Sequence, residues 1–396
     1  MLLNTVLQAQ TNSINRTLAD TASDQLNMDA VYNRPFLTFQ KAPVALGGYL
    51  EANSIYSISD GVSEGLSFQA RRLTIFMSSS INKRLKFLSE IEFEDGTKEI
   101  AIEFAALDLS FSPGLNFRGG IIMNPIGAFN QNHDGPKWEF IERPTVAVNM
   151  LPATWSNAGF GIYGKTYKGD WILGYEAYLS NGFDNSIIDN EENKTYLPSA
   201  KGNVERFEES NSGTVMFSAK AAIKNRKWGE VGLSYMGGSY NAFDVDGLQI
   251  DTERKVHVYA IDFNTTIAST GTYIVGEMAW INAEIPKTYT EQYGSNQRGV
   301  FVDVVQPILK RKILDWDNAV LNFSARFDYV DWNVGAFKSN GANIGEDIWA
   351  VTPSISLRPS MQTVFRINYR YDWQRDILAN PAAKTATWLF GFSTYF

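Results

Sequence analysis

The chain has no cysteine and only two histidines in 396 residues. Without cysteine there is no disulfide scaffold and no thiolate metal site, a usage that fits an oxidising envelope compartment. With His133 and His257 alone, a catalytic base is hard to place. No Ser-His-Asp layout, zinc spacing or Gly-rich phosphate cradle accompanies either residue, so neither an enzyme nor a bound cofactor or metal is expected. Positive charge is also short, with 43 acidic against 35 basic side chains, and this excludes a nucleic-acid partner. Long apolar runs are missing as well: the longest uncharged stretch, 144–164, is broken by Pro152, Gly159 and Gly161. A helical membrane span is therefore excluded.

Aromatic residues are plentiful, 13% of the chain with 18 Tyr and 10 Trp, as in the aromatic girdles of barrels at membrane interfaces. From Val44 onward the sequence falls into alternating segments of about ten residues, the length a tilted strand needs to cross a bilayer. They lie near 44–58, 66–78, 85–94, 100–111, 115–123, 159–168, 171–180, 213–224, 230–239, 255–266, 271–282, 299–306, 317–331, 348–358, 362–374 and 385–396. In one of the clearest, Phe365, Ile367, Tyr369, Tyr371 and Trp373 share a face opposite Arg366, Asn368, Arg370 and Asp372. The stretch TATWLFGFSTYF at 385–396 would be an aggregation-prone edge in a soluble sheet. As a barrel strand with its apolar face toward lipid, it is unremarkable.

Connection lengths alternate. Short turns near 79–84, 112–114, 168–170, 225–229, 267–270 and 358–361 separate long loops near 124–158, 181–212, 240–254, 283–298 and 332–347. Short turns on one side and long loops on the other are the topology of outer-membrane barrels. The expected fold is all-β, a transmembrane antiparallel β-barrel of about 16 strands spanning 44–396, in the cell outer membrane with lipid around it. Two places resist the pattern: the apolar parity flips between Ile102–Phe104 and Leu107–Phe111, suggesting a bulge, and 307–316 is long for a turn. Residues 1–43 read as a periplasmic lead-in that folds into the barrel mouth, with a helical tendency near Leu18–Met28. MLLNTVLQAQT looks like the tail of a secretory signal without its positive n-region, which points to a truncated or misassigned start.

The third long-side connection, 124–158, stands where general porins fold a loop into the lumen. Several stretches, among them RRLTIFMSSSINKRLKFLSEIEFEDGTKE, LNFRGGIIMNPIGAFNQNHDGP, IERP at 141–144, LPATWSNAGFGIYGK and SISLRPSMQTVFRINYRYD, resemble the phosphate-selective porin O and P family of Gram-negative bacteria. The resemblance covers most of 44–396 and implies a sixteen-stranded porin that passes small solutes, often as a homotrimer. It does not carry phosphate selectivity, which needs a dense basic ladder.

Strand parity points Arg72, Lys86, Glu90, Glu92, Glu94, Arg118, Arg326, Asp328, Arg366, Arg370 and Asp372 into the lumen as pore-lining and selectivity candidates, a mixed-sign set. Lys165, Lys220, Glu51, Glu176, Glu277 and Asp303 share that parity. Two readings stand: these charges bias which ions pass, or they pair across strands and keep the lumen wet and rigid. In the third loop, His133, Asp134, Lys137, Glu142, Arg143 and Trp155 are constriction candidates, stiffened by four prolines. His257 shares the parity of Tyr259 and Ile261 and faces lipid. Asp184, Asp189, Glu191 and Glu192 offer hard oxygens, but their spacing matches no calcium loop, so they read as a solvated acidic loop. The function expected is passive diffusion of small hydrophilic solutes or ions through a mixed-charge, water-filled lumen. The alternative is a plugged barrel serving as a structural subunit of a larger envelope assembly.

Overall fold

The computed structural model describes residues 24–38, 44–289 and 293–396. The signal-like stretch and most of the helical tendency near 18–28 lie outside them. Sixteen strands form the wall: β1 (Val44–Ser59), β2 (Val62–Ser80), β3 (Leu85–Glu94), β4 (Glu99–Ser112), β5 (Leu115–Met123), β6 (Ser156–Lys168), β7 (Trp171–Ser180), β8 (Met216–Asn225), β9 (Gly229–Ser239), β10 (Lys255–Ile267), β11 (Thr272–Ala283), β12 (Asn296–Ile313), β13 (Trp316–Asp331), β14 (Asp347–Ser360), β15 (Thr363–Gln374) and β16 (Ala383–Tyr395). Each pairs antiparallel with the next, and β16 closes on β1 with Phe390 opposite Ser54 and Tyr395 opposite Tyr49. Closure removes both sheet edges, so the aromatic strand 385–396 has a backbone partner on each side.

The period-two pattern puts two different solvents on the two faces. Outward lie Leu107, Phe160, Leu233, Ile355, Ile367 and Phe390, all exposed in the isolated chain. A closed barrel with such an apolar outside belongs in a bilayer, and this is an outer-membrane β-barrel. Toward the long-loop end, outward rings cluster in pairs, Tyr369 with Trp388 (4.7 Å), Tyr329 with Trp349 (4.3 Å) and Tyr235 with Tyr259 (5.2 Å). Trp171 and Trp228 meet at the turn end. His257 also faces outward, bonded to the Tyr235 hydroxyl at 2.8 Å. The first two long-side connections are short; between β1 and β2, Asp60 and Gly61 both have positive φ (46° and 85°), the pair of dihedrals a two-residue type I′ hairpin needs.

Both irregular places have a physical account. The register slips between Glu90–Phe104 and Ile91–Ile102, so Glu103 and Phe104 both turn inward across a β-bulge. A second bulge puts Arg71 beside Arg72 on the inner face. Segment 307–316 is not a turn: β12 continues to Ile313, bulging beside Pro307 and again near Lys312, and the turn is only Leu314–Asp315. Proline has no N–H for the ladder, so an irregularity falls there.

The inner face differs more from expectation. It is charged around β1–β5 and β13–β15, but on β10–β13 it presents Val256, Val258, Val275, Ala279, Ile281, Phe301 and Val330 to a dry core. Alternation was a guide to which side a residue faces, not to whether that side meets water. In addition, a 3-10 turn at Asn27–Tyr32 places Val31 against Leu88, Phe104 and Met123, so the described part of the lead-in sits inside the barrel. Ile367→Arg should cost about 2–4 kcal/mol if this outward residue meets mid-bilayer lipid; folding titrations into lipid vesicles measure it, and an unchanged midpoint would refute the assigned face.

Candidate functional site

Residues 124–155 leave β5, fold into the lumen and return to β6 with almost every residue buried. The loop contains only short 3-10 turns and one π-helical turn, Val146–Met150, so most of its backbone polar groups need partners from elsewhere. At the root, Asn130 donates to the Asn124 and Trp155 carbonyls and accepts from the Trp155 N–H. Gly127, at φ 64°, lets the chain turn so that its carbonyl accepts from Lys220 Nζ at 2.7 Å while the next N–H, of Ala128, donates to Glu277 at 2.6 Å.

Across the lumen, three arginines of the opposite wall receive the loop. Arg358 on β14 donates to Glu139 Oε1 (2.6 Å) and the Pro136 carbonyl (2.9 Å). Arg366 on β15 donates to the Phe140 (2.7 Å), Trp138 and Gly135 carbonyls (3.2 Å each) and to Glu51. Arg326 on β13 reaches the Glu142 carbonyl at 2.6 Å while forking onto Asp303. Asn368 and Asp328 accept the Ile141 and Thr145 N–H groups. The loop is therefore strapped to both walls. One side of it packs on the apolar sector through Phe129, Trp138, Val146 and Met150, joined by Phe183, Ile187 and Leu197 from the next loop.

The inward candidates are largely paired. Arg72 contacts Glu94 at 2.8 Å, Glu92 at 3.3 Å and Glu51 at 3.6 Å. Arg118 forks onto Asp108 between the rings of Tyr32 and Tyr163. Lys86 lies opposite Asp108 in the β3–β4 register. Arg370 bridges Asp328 and Asp372 at 3.4 and 3.3 Å. In the loop, Arg143 stands 3.6 Å from Glu92 and 4.0 Å from Glu94, and Glu142 pairs with Arg71. Trp155 stacks on Phe183 at the loop's return and lines neither the vestibule nor the small space beside it. Lys137 ties Asp134 to the lead-in through the Ala30 carbonyl.

Above the strapped loop lies a vestibule of about 400 Å³, lined by Glu142, Arg143, Val148, Asn149, Glu192, Lys194, Trp332, Arg370 and Asp372 among others. Of the selectivity and constriction candidates, only Glu142, Arg143, Arg370 and Asp372 border it. A separate small space of about 10 Å³ lies between Glu51, His133, Gly135, Glu142 and Arg143, and it shares Glu142 and Arg143 with the lining of the vestibule. On the far side of His133, Arg34 of the lead-in is buried against Glu90 and Asp134 at 2.6 and 2.5 Å. Burial would raise the Asp134 carboxyl, but the charges of Arg34 and Lys137 outweigh it and hold it well below the usual carboxylate range. Glu90, His133 and Asp134 could converge on a metal ion; here the guanidinium takes that place.

Four residues central to this arrangement were not singled out in the sequence. Arg358 shares the inward parity of Ser354 and Ser356, so its strand pattern announced it. Arg71 is hidden by the bulge, which breaks parity. Arg34 and Glu139 sit in segments with no period, and nothing local marks them. Glu139→Gln should leave the Arg358 guanidinium buried without its anion, at a cost of about 3–5 kcal/mol. Thermal unfolding in detergent together with protease cleavage within 124–155 measures it; unchanged values would show that the pair does not hold the loop.

No protein-family model matches the chain. It is 37% identical over 149 residues to an uncharacterized protein of Aquifex aeolicus (strain VF5), a match spanning 36% of this chain and about a third (33%) of that relative. Among solved structures, the Comamonas acidovorans anion-selective porin is similar at TM-score 0.55 and 12% identity, over 89% of this chain and 99% of the other. Salmonella typhi OmpF gives 0.56 and 10%, over 89% and 97%. Pseudomonas putida OprB gives 0.51 and 9%, over 89% and 94%. At such identities the likeness is one of fold, and the fold is the sixteen-stranded barrel of outer-membrane porins.

Proposed function

We propose that the chain is a passive, non-enzymatic porin for small hydrophilic solutes or ions, whose path is the vestibule and the narrows between loop 124–155 and strands β1–β3. The observation that carries this reading is the strapped loop: held between the apolar sector and the arginines of β13–β15, it leaves a vestibule lined by charged side chains beside it. A rigid narrowing of that kind selects by size and charge. The vestibule holds Glu142, Glu192 and Asp372 against Arg143, Lys194 and Arg370, so the field there is mixed and a strong preference for one ion sign is not expected. The resemblance to the phosphate-selective porins extends on this reading to the barrel and the inserted loop. The basic ladder is replaced by arginines bonded to the loop. Likeness to porins and channels favours transport over a structural subunit.

A homotrimer is proposed as well. The aromatic girdle is interrupted, since β2–β5 contain neither Tyr nor Trp, the side chains that settle at lipid headgroups. A sector without them suits a protein neighbour.

Planar-bilayer recordings test the channel. Steady conductance is expected; Arg143→Ala should raise it by widening the narrows, and Arg143→Glu should move the reversal potential toward cations. Absent conductance from folded barrels would refute the proposal. For the trimer, a single cysteine at Leu107 in this cysteine-free chain should give crosslinked oligomers with a short bis-maleimide. A monomer alone would place lipid at that face.

A further inference from the structure

Arg34 occupies a complete receptor for a guanidinium group. Its Nε and Nη2 fork onto the two oxygens of Asp134 at 2.9 and 2.5 Å, and Nη1 donates to Glu90 at 2.6 Å. Nη2 also lies 3.2 Å from His133 Nε2. The other ring nitrogen, His133 Nδ1, is 2.8 Å from the Asn130 carbonyl and donates to it, so Nε2 presents its lone pair to the guanidinium. The cation is centred 4.8 Å from the Phe76 ring and 5.7 Å from the Phe104 ring. A bidentate carboxylate, a second carboxylate, an acceptor nitrogen and two aromatic rings together match the flat fork of arginine and not the point charge of lysine.

The receptor and its occupant come from different parts of the protein. Glu90, Phe76 and Phe104 belong to the wall, and His133 and Asp134 to the strapped loop. Arg34 belongs to the lead-in, of whose described residues only Leu37–Thr38 is paired in the sheet, to the start of β1. The pocket also adjoins the proposed path, because His133 lines the small space that shares Glu142 and Arg143 with the vestibule.

We propose that this pocket is a guanidinium-binding subsite of the channel, filled at rest by the protein's own Arg34 as a tethered ligand, and that a small guanidinium-bearing solute arriving through the narrows competes for it. This rests on the channel reading above. A tethered group acts at an effective concentration of roughly millimolar, so free solute displaces it only at comparable levels, and displacement frees the lead-in from the mouth.

The test is conductance of the full chain in planar bilayers, with L-arginine and L-lysine as probes. Arg34→Ala should be blocked by L-arginine at about tenfold lower concentration than by L-lysine, and wild type should need more L-arginine than the variant. Adding Asp134→Asn to Arg34→Ala should abolish the preference. If Arg34→Ala conducts but the two amino acids act alike, the subsite is overturned and the channel stands. If neither wild type nor variant conducts although both fold, the channel reading itself fails. Should the variant not fold, wild type supplies a second readout: L-arginine, and not L-lysine, should speed chymotrypsin cleavage after Tyr32. An equal rate with both would also overturn the proposal.

Discussion

A loop with little secondary structure can be buried only if something else satisfies its backbone, and in this barrel the donors come from the opposite wall. Arg326, Arg358 and Arg366 aim guanidiniums at the carbonyls of Gly135, Pro136, Trp138, Phe140 and Glu142. An unmade hydrogen bond in a dry interior costs about 1–3 kcal/mol for each group. Several such losses at once would rival the net stability of a typical domain, which is about 5–15 kcal/mol. The position of the loop and the shape of the vestibule beside it both follow from this fit between side-chain donors and main-chain acceptors.

The same constraint explains why a charged lumen need not be a selective one. A guanidinium bonded to a carboxylate and to carbonyls has few donors left for a passing ion, and its field is cancelled locally. Arg366 and Arg326 act as fasteners in this sense, whereas Arg143 and Arg370 keep contact with the vestibule. The apolar sector on β10–β13 complements the fasteners. It holds one side of the loop by burial while the arginines hold the tip, so the loop is fixed from both sides.

The lead-in extends this logic to the turn-side mouth. Asn27 donates its backbone N–H to Glu230 and its side chain to the Ala128 carbonyl, and Lys165 pairs with Asp29. A segment outside the barrel proper thus completes the polar network of the loop from below, with Arg34 as its most buried contact. Asp134, a loop residue, is the point where the lead-in and the loop meet, through its pairing with Arg34.

Strand positions, their faces and most of the short and long connections were legible in the sequence, because each depends on neighbours two to ten residues apart: the period-two alternation of Phe365 to Trp373, the parity break that betrays Glu103. What the closed barrel alone decided is who meets whom. Arg358 and Glu139 stand 219 positions apart, and Arg34 and Asp134 stand 100 apart. No local period records such pairs. Whether an inward residue meets water or a packed loop was likewise settled only when the wall curved round and residues 124–155 folded into it. The alphabet of inward and outward is written in the chain, and the filling of the inside is a matter of tertiary contact.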